Sequence, residues 1–386
     1  MREDFNEVVK SIAVSDIRQF DNEVSQIPGM LKLTLGEPDF NTPEHVKQAG
    51  IKAIENNESH YTPNPGTPEL RQAAAEYYNA KFKLHYSGEN VITTVGATEG
   101  IAAALQTLLN PDDVVLIPTP IFPIYIPDTQ LNHATPVFID TSADGFVLTP
   151  QRLEAAIQAQ GDKTVKALVL NYPSNPTGVT YSSAELAELA KVIKVHQLWV
   201  LSDEIYGELS YSEPHTSLAS YIPDQVIMVN GLSKSHAMTG WRLGFVLAPT
   251  NFVEQMIKAH QYMVTAPTTM VQAAALEAVK HGQGDSAIMA VEYKKRRDYL
   301  ISALQPLGFK MARPDGAFYL FAKIPANCPQ KSWDFVRDLA KTEKLALIPG
   351  ISFGPGGEGY VRISYAASME NLKKAVTKLQ AYVAKH

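Results

Sequence analysis

One cysteine, Cys328, in 386 residues excludes an intramolecular disulfide framework and a cysteine-based zinc site. The ten histidines are scattered and no HExxH pair occurs, so no metal site is expected. Charge of one sign is also scarce. With 34 Lys+Arg against 40 Asp+Glu, the formal net charge is −6, which excludes the basic field of a general nucleic-acid binder. Long apolar runs are missing as well. The most apolar stretch, 114–126, is interrupted by Pro118, Pro120 and Pro123 and is too short to span a bilayer. The opening residues are acidic and polar, without the basic and apolar regions of a signal peptide, so a cytoplasmic, membrane-free protein is expected. No internal repeat or low-complexity tract occurs. What remains is ordinary globular composition, 45% hydrophobic, in a chain long enough to bury large cores without staples.

Short β-rich runs alternate with helical patterns. The runs fall at 91–95, 114–117, 135–139, 165–170, 198–202, 226–229 and 243–247, most of them continuously apolar. Such runs are expected of strands covered on both faces. Helical patterns at 99–109, 151–160, 183–196 and 252–260 separate them, so a doubly wound, mostly parallel α/β sheet is expected. After about residue 251 the pattern changes to a long helical stretch to 281, a second helix at 285–305, and then hairpin-like strands and a terminal helix. Phe318, Leu320, Ile324, Val361 and Ile363 predict a smaller α/β lobe, on which the first 45 residues are expected to pack. The run Gly354-Pro355-Gly356-Gly357-Glu358-Gly359 spells GxGxxG, but a strand pattern follows it instead of a helix. A turn is therefore expected, not a dinucleotide site.

In an open parallel sheet, ligands bind beyond the carboxyl ends of the strands. After the run at 91–95 comes Gly96-Ala97-Thr98-Glu99-Gly100, a small-residue turn opening a helix, whose free N–H groups suit a phosphate. After 165–170 comes Asn171-Tyr172-Pro173-Ser174-Asn175-Pro176-Thr177-Gly178, where an Asn–Pro bond can be cis and aim a side chain, or simply make a rigid turn. After 198–202 comes Asp203-Glu204-Ile205-Tyr206; an Asp so placed is most often a helix N-cap. After 226–229, Lys234 stands among small and apolar neighbours, with Arg242 eight residues on. A lysine is usually a solvated surface charge, but one with a lowered pKa becomes an imine-forming nucleophile. Arginine offers a fixed fork for phosphate.

In order and spacing, Ser233-Lys234, Thr239-Gly240-Trp241-Arg242-Leu243-Gly244, Ser202-Asp203-Glu204-Ile205-Tyr206 and Asn175-Pro176-Thr177-Gly178 resemble the class I/II aminotransferases. These are pyridoxal-phosphate enzymes of fold type I. The resemblance extends from Gly36-Glu37-Pro38-Asp39 through Tyr61-Thr62-Pro63 to Gly316-Ala317-Phe318-Tyr319 and Arg362. It implies a mostly parallel seven-stranded sheet in a large cofactor domain, 46–275, and a discontinuous smaller α/β domain, 1–45 with 276–386. It implies that Lys234 holds pyridoxal 5'-phosphate as a Schiff base and then shuttles the substrate Cα proton. Asp203 would keep the pyridine nitrogen protonated, and Tyr206 and Asn175 would hydrogen-bond the ring's phenolic oxygen. Phe122 would stack on the ring, with Tyr125 lining the same wall. Gly96, Ala97, Thr98, Ser233 and Arg242 would surround the phosphate, and Tyr61 would reach it from the neighbouring subunit of a homodimer. Arg362 would grip the substrate α-carboxylate, with Asn175, Gly36 and Ile17 beside it.

The resemblance further implies two ping-pong half-reactions between an amino acid and a 2-oxo acid. No cation is evident for a distal carboxylate, and Thr98 stands where a lysine would have suggested one. Ile17, Phe122 and Tyr125 favour an apolar or aromatic side chain, so aromatic donors with 2-oxoglutarate as acceptor are expected first. N-acetyl-LL-diaminopimelate, transaminated in lysine synthesis by a subgroup that the amino-terminal half also resembles, is the alternative. A C–S β-lyase using the same Lys234 ranks below both. A regulator with an aminotransferase-like domain would need a DNA-binding module, and about 45 residues ahead of the main domain leave no room for one.

Overall fold

The computed structural model describes residues 4–386; the first three residues of the acidic opening lie outside it. A short β1 (Leu31–Lys32) precedes the main sheet. The sheet comprises β2 (Val91–Thr94), β3 (Val114–Thr119), β4 (Thr135–Asp140), β5 (Val165–Asn171), β6 (Trp199–Asp203), β7 (Val226–Gly231) and β8 (Gly244–Leu247). Its order is β2-β8-β7-β6-β5-β3-β4, seven strands as expected. β3 to β7 pair in parallel with their neighbours, and β8 runs antiparallel to both β2 and β7.

The continuous apolar runs have the predicted cause. Every residue of β2, β7 and β8 is buried, because helices cover both faces. Alternate residues serve opposite cores. Leu116, Leu168, Leu170, Val200 and Met228 face Leu186, Leu189 and Ile193 of the helix Ser183–Val195. Val115, Ile117, Val169, Leu201 and Ile227 face Ile101 and Leu105 of the helix Gly96–Leu108 and Phe252 and Met256 of the helix Thr250–Val264. Capping sets the start of the helix Ser183–Val195. Glu185 takes the Ser182 N–H at 2.7 Å while Ser182 Oγ takes the Glu185 N–H at 3.3 Å, a reciprocal capping box.

The helical stretch expected to run unbroken to 281 is divided into Thr250–Val264 and Thr269–His281. Pro267 cannot donate to a helix, and it steers Ala266 away from helical geometry. The chain turns there through Thr265 at φ 66°. The helix Asp285–Leu304 then leads to β9 (Lys310–Met311), β10 (Tyr319–Lys323), β11 (Leu345–Ala346), β12 (Ile348–Pro349) and β13 (Tyr360–Ser364). These build an antiparallel sheet ordered β12-β13-β10-β9, and β1 pairs in parallel with β11. Phe20, Val24 and Leu33 from the amino-terminal segment share its core with Phe318, Leu320, Phe335 and Ile363. The GxGxxG run is a turn: Gly354, Gly356 and Gly359 have φ of 95°, 78° and 80°, and β13 follows. Among the described residues no helix is long and apolar enough to cross a membrane, and no group of His, Cys, Asp or Glu is arranged to hold a metal.

Candidate active site

β5, β6 and β7 are adjacent and parallel, with Asn171 opposite Asp203 and Asp203 opposite Val229. Their carboxyl ends therefore open together, and the segments after them converge. Asp203 is the last residue of β6 and is buried. Its Oδ1 accepts the Ile205 N–H at 3.1 Å in a local turn, and it caps no helix: the next helical turn, Gly207–Leu209, starts after Tyr206. Its Oδ2 accepts the Tyr125 hydroxyl at 2.6 Å. The hydroxyl of Tyr125 is thus anchored on Asp203: a fully buried phenol needs a partner, and this carboxylate supplies it. Burial pushes the Asp203 carboxyl up to about 6, with the Tyr125 and Ile205 donors pulling down, Glu204 pushing up and Lys234 pulling down.

Lys234 sits on the one-turn helix Leu232–Ser235 beyond β7. Its Nζ donates to the Gly36 carbonyl at 2.6 Å and lies 5.9 Å from the ring centres of both Tyr206 and Phe318. Burial brings its pKa down to about 8; Glu37 and Asp203 oppose that shift, and Arg242 and Arg362 reinforce it. The amine is therefore partly neutral near physiological pH, as a nucleophile or proton carrier requires. Tyr206 hydroxyl lies 2.8 Å from that of Tyr319. A Cβ on Gly36 would run into the Tyr319 hydroxyl, so the close approach of this segment needs glycine.

Arg362 comes from the other sheet, on β13 opposite Phe321 of β10. It is buried between the rings of Tyr319 and Phe353, at 4.6 and 5.0 Å from their centres. Nη1 donates to Asn175 Oδ1 at 2.9 Å and Nη2 to the Thr34 carbonyl at 2.5 Å. Its buried Nε–H has no hydrogen-bond partner. Asn175 is itself set by its N–H to Asn171 Oδ1 at 2.9 Å, and its bond to Pro176 is cis. Ile17 is half-buried on the helix Asp16–Ser25, whose Asp16 accepts the Ser352 hydroxyl at 2.6 Å beside Phe353.

At the other end, the helix Gly96–Leu108 begins without a side-chain cap. Arg242, at φ 56°, is held by Nη1 to the Thr239 carbonyl at 2.9 Å. A Cβ on Gly96 would stand 2.5 Å from Arg242 Nη2, so only glycine lets this turn meet the guanidinium. Ala97 is half-buried, Thr98 exposed and Ser233 buried. Phe122 and Tyr61 are exposed, at 39% and 90%, and one chain does not gather them into the hydrogen-bonded set. Sequence reasoning missed Thr34, Tyr319, Phe353 and the Asp203 partnership of Tyr125. Only Tyr319 and Tyr125 stood in segments already singled out.

The donor set fits pyridoxal 5'-phosphate. It combines a half-buried amine of lowered pKa, a buried carboxylate, an uncapped helix start facing a guanidinium across a side-chain-free glycine, and a second guanidinium with an orphaned N–H. The profile "Aminotransferase class I and II" matches residues 28–379. The chain is 46% identical over 381 residues, 98% of its length and 96% of the relative's, to a Bacillus subtilis protein named "Probable N-acetyl-LL-diaminopimelate aminotransferase". It is 37% identical to aromatic-amino-acid aminotransferase 2 of Thermococcus litoralis, covering 95% of each chain. The Thermus thermophilus aspartate aminotransferase structure with maleate superposes with a TM-score of 0.93 at 35% identity, covering 99% of this chain and 100% of that one. A profile match over most of the length, on a fold type I architecture, settles the family: this chain belongs to the class I and II aminotransferases and is a transaminase whose cofactor is pyridoxal 5'-phosphate.

Proposed function

We propose that the chain exchanges an amino group between N-acetyl-LL-diaminopimelate and a 2-oxo acid such as 2-oxoglutarate. The chemistry rests on one observation, the convergence of Lys234 and Asp203 from adjacent strand ends of the main sheet with Arg362 from inside a strand of the smaller one. The choice of donor is supported by 46% identity across nearly the whole of a relative carrying that name. Aromatic amino acids are the second choice, supported by the apolar surroundings of Arg362 and by a relative 37% identical.

When bound, the cofactor supplies an electron sink through its protonated ring and carries the nitrogen between half-reactions. The remaining work belongs to the chain. Arg362, prealigned by Asn175 and Thr34, binds the α-carboxylate with its free N–H groups. Lys234 Nζ takes the Cα proton and returns it during the exchange. Asp203 holds a proton at the ring nitrogen, and its ionised form is supported by Tyr125 and the Ile205 N–H. Tyr206 and Asn175 orient the ring's phenolic oxygen. Gly96, Ala97, Thr98, Ser233 and Arg242 hold the phosphate. Phe122 packs on the ring, and Gly36 and Ile17 border the substrate. Tyr61 serves the neighbouring subunit of a homodimer, as supported by its 90% exposure in one chain. The large domain spans 46–275 and the small one 1–45 with 276–386, supported by the core that Phe20, Val24 and Leu33 share with the carboxyl-terminal sheet.

Single half-reactions test the substrate. Holoenzyme is mixed with N-acetyl-LL-diaminopimelate, phenylalanine, tyrosine, aspartate or glutamate, and loss of the cofactor's visible absorbance is followed. N-acetyl-LL-diaminopimelate and glutamate react fastest if the proposal holds; a faster reaction with phenylalanine or tyrosine selects the aromatic reading. Pyruvate release from cystathionine without an acceptor would instead reveal a β-lyase.

Tyr125→Phe tests the support of Asp203. The carboxylate loses a charge-assisted bond of about 1.5–3 kcal/mol. Its protonation therefore moves to higher pH, and the acid midpoint of cofactor binding rises by about one to two pH units. An unmoved midpoint in absorbance titrations would show that the phenol does not favour the ionised form.

A further inference from the structure

Beneath the helix start assigned to the phosphate lies a fully buried imidazole that the proposed mechanism does not use. His260, on the helix Thr250–Val264, has Nδ1 3.1 Å from Glu99 Oε1 and Nε2 2.7 Å from the Asn64 carbonyl. A carboxylate and a backbone carbonyl only accept, so satisfying both requires an N–H on each ring nitrogen, an imidazolium. The direction of its titration agrees. Burial pulls its pKa down, but the Glu99 hydrogen bond and charge and the Asn64 carbonyl outweigh burial and raise it.

Glu99 is the reason that charge matters. Its Oε2 accepts the Val95 N–H at 3.1 Å, folding the carboxylate back to the start of the helix Gly96–Leu108. A negative charge there opposes a phosphate dianion at the same turn unless it is neutralised. The second bond reaches the loop that carries Tyr61. Asn64 is three residues beyond Tyr61, and its Nδ2 donates to the Thr265 carbonyl at 2.7 Å, just past the end of the His260 helix. Among the described elements packed on this helix, Gly96–Leu108 carries no charge but Glu99, β2 carries none, and Glu89 of the turn Gly88–Asn90 acts on Arg71; Glu254 and Lys258 of the His260 helix itself are exposed.

We propose that His260 is a positioning residue for cofactor binding: as an imidazolium it cancels the Glu99 carboxylate beneath the phosphate turn and ties that turn to the loop presenting Tyr61. This rests on the placement of the phosphate at Gly96–Thr98.

Equilibrium binding of pyridoxal 5'-phosphate to apoenzyme tests it, with His260→Gln and the double variant Glu99→Gln/His260→Gln compared with the parent. His260→Gln binds about 10-fold more weakly, and the double variant, which also removes the negative charge, returns to within about threefold of the parent. Parental affinity, relative to that of the double variant, falls as pH rises through the His260 titration, because the positive charge is lost there. Nitrogen NMR of the parent apoenzyme shows both ring nitrogens protonated at pH 7, a readout that stands even if a variant fails to fold. Unchanged affinity in His260→Gln, a double variant as weak as the single one, or a singly protonated ring at pH 7 would each overturn the proposal. Failure of the parent to bind the cofactor would instead overturn the placement of the phosphate.

Discussion

Lys234→Ala lowers kcat/KM by about 10⁴-fold or more, the upper end of what one positioned proton-transfer group contributes, and abolishes covalent attachment of the cofactor. Two jobs fall on one nitrogen. Lys234 Nζ is the amine that burial holds near pH 8, and it stands between Gly36, Tyr206 and Phe318 at the mouth of β7. The neighbouring cations, Arg242 and Arg362, are guanidinium groups, which have no acceptor for a proton and form no Schiff base. The fold should survive, since alanine leaves only the Gly36 carbonyl without its donor at a partly open site. Steady-state kinetics and the absorbance spectrum check both parts. The same pKa predicts a pH dependence in the parent. Capture of the cofactor by apoenzyme needs the neutral amine, so its rate rises with pH and levels off above about 8. Full transaminase activity in Lys234→Ala would end the assignment of this lysine.

Arg362→Leu is expected to cost roughly 2–4 kcal/mol of substrate binding, about 30- to 1000-fold in kcat/KM. The guanidinium is buried, stacked between Tyr319 and Phe353 and fixed by Asn175 and Thr34, so the proposed carboxylate contact would need no further ordering of its free N–H groups. Leucine also leaves Asn175 Oδ1 and the Thr34 carbonyl without their donor, so a thermal melt of the variant beside the kinetics separates lost carboxylate recognition from lost stability. Arg362→Lys should recover only part of the recognition, because a point charge cannot reproduce a planar fork. An amine analogue without the α-carboxylate should react equally with parent and Arg362→Leu enzyme. A loss below threefold with the best amino acid would show that another residue holds the carboxylate.

These two residues were legible in the chain to different degrees, for a physical reason. Lys234, Asp203 and Asn175 stand at or just beyond the ends of buried parallel strands, and such strands announce themselves as continuous apolar runs. Finding the run finds the strand end, and the strand end of an open sheet is where ligands bind. Arg362 lies inside a strand of the other sheet, and no local pattern ties it to Asn175, 187 positions away. Its resemblance to a family motif pointed to it; periodicity alone would have left it as one more residue of β13. Tyr125 shows the opposite case, a residue noticed for its ring and needed for its hydroxyl. Which acceptor a buried phenol finds depends on packing between segments, here 78 residues apart. His260 had no sequence signal at all, because both of its partners arrive from distant elements.

What the amino-acid sequence determined by itself was the alternation of strands and helices, the strand ends and the chemistry waiting at them, since hydrophobic period and turn composition act over a few residues. Only the tertiary structure decided the partnerships. The seating of Arg362 against Asn175, the Gly36 carbonyl on Lys234, the Tyr125–Asp203 bond and the His260–Glu99 pair all arise where separate elements pack. At those contacts burial turns a neutral preference into a requirement, because a polar group removed from water must find a partner or cost about 1–3 kcal/mol.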